Sequence, residues 1–447
     1  MKRFIGVKQE NLQCTGTVPA ILKEAGLVLK AISVSGEPDG AKLAKLGGAA
    51  LGLSWSSEAD LISIKFRVNI STKKRGRPTA PDLCSETLNL LGKTKLSKRL
   101  CLGIASTQYD PISLATPVTI RLKVASKHLF RLELGWDDPL PEELQETWES
   151  LVKMLVLAGE VKFRRCTKPE DSVGRSVLVA SWAGSDVASS CMVYVLWNSA
   201  TGGRSVQLVA SKAKVAPLWG TSTPRMELNG AVLMMRVVLR VVLAMEEKPE
   251  QVWLAGDSET VLACREKESG CFGEFFRNSL GELWDTQEKL EEHTKVGENG
   301  EWWHVPTEHN PADRTSRLDS KPEDIGLESA WQNGPQFLYQ DRSSWSLERN
   351  FTEQKAKVKI PKEDILKKFR LVEDSDIFAC RLAARQTPEE KLVAGEAEAG
   401  TEQKAPEVQQ AADRKLKSTG KEFSEDICWC SETESRGGRS RAWKPGQ

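Results

Sequence analysis

Histidine is nearly missing from this chain: four occur in 447 residues, beside ten cysteines. A zinc knuckle or an integrase-type zinc module needs paired His and paired Cys at short spacings. The closest cysteine pair, Cys428 and Cys430, has one residue between its members, and His304 and His309 have no cysteine nearby in the sequence. Both histidines therefore read as strand and turn residues. Net charge is missing too. Lys and Arg total 63 against 62 Asp and Glu, so any basic surface must be local. No run of eighteen apolar residues occurs, and the opening MKRFIGVKQEN has no apolar core; a membrane span and a secretory leader are not expected. The scattered cysteines read as reduced thiols, which sets the expected location as cytoplasmic or nuclear. No Tyr-x-Asp-Asp polymerase word is present, since the paired acids of GWDDPLP lead into a proline-started helix. Nor does Asp-Thr-Gly or Asp-Ser-Gly occur, which argues against an aspartic peptidase.

What is present is 40% hydrophobic residues over a length that suits two or three domains. Residues 18 to 35 read as a short helix stopped by Gly26 and followed by a strand. The alternation in LGLSWSSEADLISIKFRVNI, 51 to 70, is a hairpin pattern. Next comes the basic segment KKRGRP, whose Lys73, Lys74, Arg75 and Arg77 form either a solvated loop or a phosphate-contacting one. From Pro139 an amphipathic helix places Leu144, Trp148, Leu151 and Leu155 on one stripe.

Apolar patterning is densest between 176 and 318. Strands are expected over 176 to 183, 189 to 197 and 204 to 211, joined by short turns, followed by a buried helix over 227 to 247. Strand QVWLAG, two helical stretches, strand WWHV and a last helix from Asn310 complete the order. Three hairpin-connected strands followed by alternating helix and strand pack naturally as a mixed sheet with helices on its faces. Beyond 351 the segment rich in Glu, Lys, Ala and Gln predicts a charged, largely disordered tail.

Three acids stand at element ends: Glu227 at the start of the buried helix, Asp257 after VWLAG, and Asp313 opening the final helix. Strand ends of such sheets gather at one edge, which gives these acids a common place. Acidic clusters without Cys or His suit Mg²⁺ or Mn²⁺, and paired ions serve phosphodiester hydrolysis. Each acid also has a simpler reading: Asp313 and Asp257 as helix N-caps, Glu227 as a first-turn acid.

The ordered words RSVQLVASKAKVAPL, STPRMELNGAVLMMRVVLRVVL, VWLAGDSETVLACREK, EWWHVPTEHNPADRTSR and AWQNGPQFL resemble the ribonuclease H-like domain of BEL/Pao retrotransposon Pol polyproteins. Upstream, ALGLSW, NISTKKRGRPTAPDL, LGIASTQYDPISLATPVTIRLKV and GWDDPLPEELQETWESL resemble the segment joining reverse transcriptase to that domain. The region is often labelled a Pao-type peptidase. The resemblance covers roughly residues 15 to 345. It implies an α/β fold: a ribonuclease H-like mixed sheet with flanking helices, preceded by an α+β connection segment and followed by the tail. The implied boundaries are a reverse transcriptase connection remnant over 1–135, a helical linker over 136–170, the ribonuclease H-like domain over 171–320, a post-domain segment over 321–350 and the tail over 351–447.

The family pattern implies metal-site, catalytic positions for Glu227, Asp257 and Asp313. It also implies a fourth acid at the end of the first strand, in a word like Phe-Ser-Asp-Gly-Ser. Aligned on SWAGSDVASSCMVY, that acid falls on Ala183, with Ser189 and Ser190 where Tyr and Gly are usual. Asp186 is a candidate substitute, but it lies three residues on, roughly 10 Å along extended chain and facing the other way. The expectation is a degenerate Pol fragment with impaired catalysis that keeps affinity for RNA/DNA hybrid or other nucleic acid and uses Mg²⁺ or Mn²⁺ only if active. The alternatives are an active ribonuclease H that uses Asp186, and a domesticated structural or interaction protein.

Overall fold

A computed structural model describes residues 49–68 (save 51 and 57), 83–266, 272–298, 300–345 and 347, with 21 and 24 in isolation. Lys73, Lys74, Arg75 and Arg77, the strand expected near 30 and the tail after 351 lie outside the described residues. All described residues fall within one compact unit.

The larger sheet is built on β5 (Ser172–Gly184), β6 (Ala188–Ser199) and β7 (Arg204–Val215), joined by tight turns. These strands outrun the sequence-predicted ones at both ends of β5 and β6 and at the far end of β7, because ladder pairing carries polar residues such as Lys212 and Lys214 along with the apolar run. β8 (Gln251–Gly256) and β10 (Trp302–His304) complete the order β10–β8–β5–β6–β7, and β9 (Lys295–Val296) pairs beside β8. β5 is antiparallel to β6 and parallel to β8, and β10 is parallel to β8. The sheet is therefore mixed, as the element order predicts.

Alternation along β5 explains its central place. Leu178, Ala180 and Trp182 enter one hydrophobic core, while Val179 and Ala183 enter another. The first of these cores is closed by α5 (Thr223–Ala244), α6 (Glu259–Arg265) and α7 (Glu274–Glu291). On the second face lie α2 (Lys98–Ser106), α3 (Thr116–Arg131) and α4 (Glu142–Glu160), which follow α1 (Ser85–Leu91). The chain after β10 returns to this second face through α8 (Asp313–Arg317) and α9 (Ala330–Asn333). The final helix expected from Asn310 thus starts at Asp313 and spans five residues, and another helix follows it.

A smaller antiparallel sheet runs β1 (Ala49–Ala50), β2 (Leu53–Ser56), β3 (Leu61–Ile64) and β4 (Phe163–Arg164). It contains the predicted hairpin, whose turn is held by Asp60: this residue has φ 52 and accepts from Trp55 Nε1 at 2.9 Å and from Arg165. Ile62 and Ile64 share their core with α4 and with Trp331, Phe337, Leu338, Trp345 and Leu347. Trp331, fully buried, donates from Nε1 to the Leu114 carbonyl at 2.7 Å, and its own carbonyl accepts from Tyr194 Oη at 2.9 Å. Farther on, the Arg342 guanidinium lies 3.9 Å from the ring centre of Trp253 and 4.5 Å from that of Trp303. Among the described residues no helix is long and apolar enough to cross a membrane.

Candidate functional site

Parallel pairing of β5 with β8 sets the site. Trp182 stands level with Gly256, so Ala183 and Asp257 emerge side by side at one end of the sheet. α5 presses on the same end. A Cβ on Gly184 would lie 2.3 Å from the Glu227 backbone nitrogen, and one on Gly230 would lie 2.6 Å from the Ala183 carbonyl oxygen. Only glycine allows this approach, and through it Glu227 comes against the end of β5. Pro224, in the first turn, starts α5 earlier than predicted, which puts Glu227 in the second turn rather than at the start.

Each carboxylate is already occupied. Glu227 Oε2 accepts from Ser258 Oγ at 2.6 Å, and that hydroxyl also accepts from Val261 N as the N-cap of α6. The cap is therefore Ser258, not Asp257 as one sequence reading had it. This leaves Asp257 free to face the site, where Asn310 and Thr307 donate to its carboxylate. Burial, and then the charge of Asp313, push the Asp257 carboxyl above the ordinary carboxylate range, partly offset by those donors. Asp313, the first residue of α8, accepts from Arg317 Nε at 2.6 Å and Nη2 at 2.5 Å, and from Ser316 Oγ at 3.1 Å. Asn310 ties the loop to the sheet by donating to the Trp182 carbonyl at 2.8 Å. Ser190, the register partner of Ala183, donates to the Ala312 carbonyl at 2.8 Å.

The structure thus brings Glu227, Asp257 and Asp313 to the sheet end occupied by Ala183. Asp186 behaves differently: it is exposed in the β5–β6 turn, and its charge acts on Lys127 of α3. His304 ends β10 and His309 stacks edge-on against Phe337, as strand and turn residues do. Among the described residues no three His, Cys, Asp or Glu side chains stand close enough to hold a metal ion. The donor set does not fit a two-ion centre as arranged. Arg317 supplies the positive charge beside Asp313, Ser258 holds Glu227, and position 183 offers a methyl group. Sequence reasoning missed Ser258, Asn310 and Arg317; only Arg317 gave a signal, its i,i+4 spacing from Asp313.

A raised carboxyl pKa destabilises the fold as pH rises from the ordinary carboxylate value through the folded one, because the native state binds the extra proton. Asp257→Asn removes this penalty while keeping an acceptor for Asn310 and Thr307. The variant is expected to gain about 1 kcal/mol at neutral pH, and none below the ordinary carboxylate range. Thermal melts across pH 3 to 8 check both the gain and its disappearance.

Residues 97–258 match the family described as the Pao retrotransposon-like RNaseH-like domain. Over this span, which is less than half of the chain, the sequence is similar to that family. The Pao-type span runs from the N-cap of α2 to Ser258, so it contains Ala183, Glu227 and Asp257 and stops short of Asp313. With the mixed sheet above, the fold is ribonuclease H-like. No curated protein matches the chain. Similar solved structures include the N-terminal RNase H domain of rv2228c from Mycobacterium tuberculosis, at 12% identity and TM-score 0.22, over 31% of this chain and 88% of that one. RNase H1 from Halobacterium salinarum aligns at 15% identity and TM-score 0.20, over 32% and 94%. The foamy viral protease-reverse transcriptase, solved with dsDNA, aligns at 14% and 0.18, over 68% of this chain and 54% of its own.

Proposed function

We propose that the chain is a degenerate retrotransposon Pol fragment whose ribonuclease H-like region binds nucleic acid, RNA/DNA hybrid in the first instance, and is impaired in cleaving it. The observation that carries the reading is Ala183. Its neighbours at the sheet end are carboxylates, and the family resemblance calls for one more at this position. Removing a group that stabilises developing charge costs several kcal/mol, and each 1.36 kcal/mol is about tenfold in rate. The Arg317 and Ser258 contacts support the same reading, since they hold Asp313 and Glu227 in uses other than cation binding. Mg²⁺ or Mn²⁺ would supply a nucleophile and charge stabilisation in a working relative of this fold. Here Asp257 and Asp313 repel one another, while Asn310 and Thr307 orient Asp257. In this reading residues 1–135 are the connection remnant and 171–320 the nuclease-like part.

The test is a labelled RNA/DNA hybrid incubated with the whole chain in Mg²⁺ and in Mn²⁺. Binding that weakens steeply with salt, without cleavage, is the expected result. Cleavage that Asp186→Ala abolishes would overturn the impairment, and absence of any salt-sensitive binding would overturn the nucleic-acid reading.

A further inference from the structure

β7 is an edge strand of the larger sheet, and α3 packs along it through Ile120, Val124 and Ala213. Around this edge the sequence distributes cations at two matching periods. Lys123, Lys127 and Arg131 recur every four residues on α3, about 6 Å apart along its axis. Lys212 and Lys214, both exposed, leave β7 on one face about 6.6 Å apart. Ala213 between them packs on α3, so Lys212 and Lys214 leave the opposite face and the two rows flank the outer edge of β7, with Lys123 within electrostatic reach of Lys212 across it. Two carboxylates stand among them: Asp110 near Lys123 and Asp186 near Lys127. Asp110 is spent on the backbone N–H groups of Leu114 and Ala115, ahead of α3. The balance of the strip is positive in a chain whose total charge is +1.

At the end of this strip stands an indole almost wholly in water. Trp219 is 91% exposed, the most of any large hydrophobic side chain among the described residues. It sits in the turn after β7, closed by Gly220 at φ +81. Arg131 fixes that turn, donating from Nε and Nη2 to the Leu218 carbonyl at 3.2 and 2.7 Å. Leaving a Trp in solvent gives up the large apolar burial this residue usually contributes, so the fold gains nothing visible from it. The location is informative as well. Val215 at the end of β7 pairs with Ala188, and Ala216 N donates to the Val187 carbonyl at 2.8 Å, beside the turn that follows Gly184. The cations therefore lead toward the sheet end that bears Ala183 and the carboxylates.

We propose that Lys123, Lys127, Arg131, Lys212 and Lys214 form a track for a single nucleic-acid strand, and that Trp219 stacks on one of its unpaired bases. The proposal rests on the nucleic-acid reading above and deepens it by naming the surface and the strandedness of the ligand. Rows of cations at about 6 Å follow successive phosphates of an extended strand, and a solvated indole offers a π-face that any base can use. A peptide partner would favour a pocket for side chains, whereas this strip supplies charge and one flat ring.

The experiment measures anisotropy of fluorescein-labelled oligo-dT and oligo-rU of about 12 nucleotides, with the whole chain over a salt series. Trp219→Ala is expected to weaken binding of both about tenfold and to leave the salt slope unchanged. Lys212→Ala with Lys214→Ala should flatten the slope of log Kd against log salt by about 1.4, at 0.7 per phosphate contact. All three sites are exposed, and matching melting curves verify that the variants fold. If the natural chain binds and either variant binds as it does, with the same slope, the track is wrong and the nucleic-acid reading stands. If the natural chain binds neither oligonucleotide but binds hybrid, single-strand recognition fails alone. If it binds no nucleic acid, both readings fall together.

Discussion

Ala183→Asp is expected to turn the chain into a measurable nuclease on RNA/DNA hybrid in Mn²⁺, at least about a hundredfold above the natural sequence. Two decades of rate correspond to about 2.7 kcal/mol of barrier, within what a lost charge-stabilising group removes. Geometry favours the outcome. Position 183 is 2% exposed and level with Asp257 along the paired strands, and its partner Ser190 is bonded to Ala312, next to Asp313. A carboxylate there joins two that already repel each other, so the metal-free variant should melt below the natural chain. Added Mn²⁺ should raise its melting temperature, while the natural chain changes little. Arg317→Ala placed on top of Ala183→Asp frees Asp313 from its guanidinium and should strengthen both effects. A folded Ala183→Asp protein that neither cuts nor responds to Mn²⁺ would show that these carboxylates are structural.

The second large effect concerns stability. Trp331→Ala should cost about 4 kcal/mol, the range for deleting a buried aromatic side chain, and lower the melting temperature by roughly 10 °C at about 2 to 4 °C per kcal/mol for a domain of this size. Trp331 is buried among residues of the small sheet, α4 and the large sheet's second face, and its Nε1 donates to Leu114. The neighbouring Gln332 amide donates to the Lys162 carbonyl at 2.7 Å and to Ile325 at 2.9 Å, so loss of the indole loosens several junctions at once. Trp331→Phe keeps much of the volume and should lose only about 1 kcal/mol more than packing requires, for the missing hydrogen bond. Urea unfolding separates the two. A change under 1 kcal/mol for Trp331→Ala would mean that the segment around it does not belong to the core.

The large sheet was legible because its information is local. Dense apolar runs marked β5, β6 and β7, short polar or Gly-rich turns marked their hairpins, and VWLAG and WWHV marked two further strands. Helix α5 announced itself by apolar residues around most of its circumference. The positions of Glu227, Asp257 and Asp313 beside element ends followed from the same order, as did the gap at Ala183 once the resemblance was in view.

Tertiary structure decided what those residues are bound to. Sequence reading offered Asp257 as the cap of α6; the folded chain uses Ser258, whose hydroxyl also serves Glu227, 31 residues away in sequence. Whether Asp186 turns toward the carboxylates or toward Lys127 depends on α3 packing against the sheet edge. The docking of Trp331 depends on Leu114, 217 residues earlier. Propensity and periodicity act over a few residues and fix element type and order. Hydrogen-bond partners and like-charge neighbours across such separations exist only after the chain has closed on itself, and they set the state of this site.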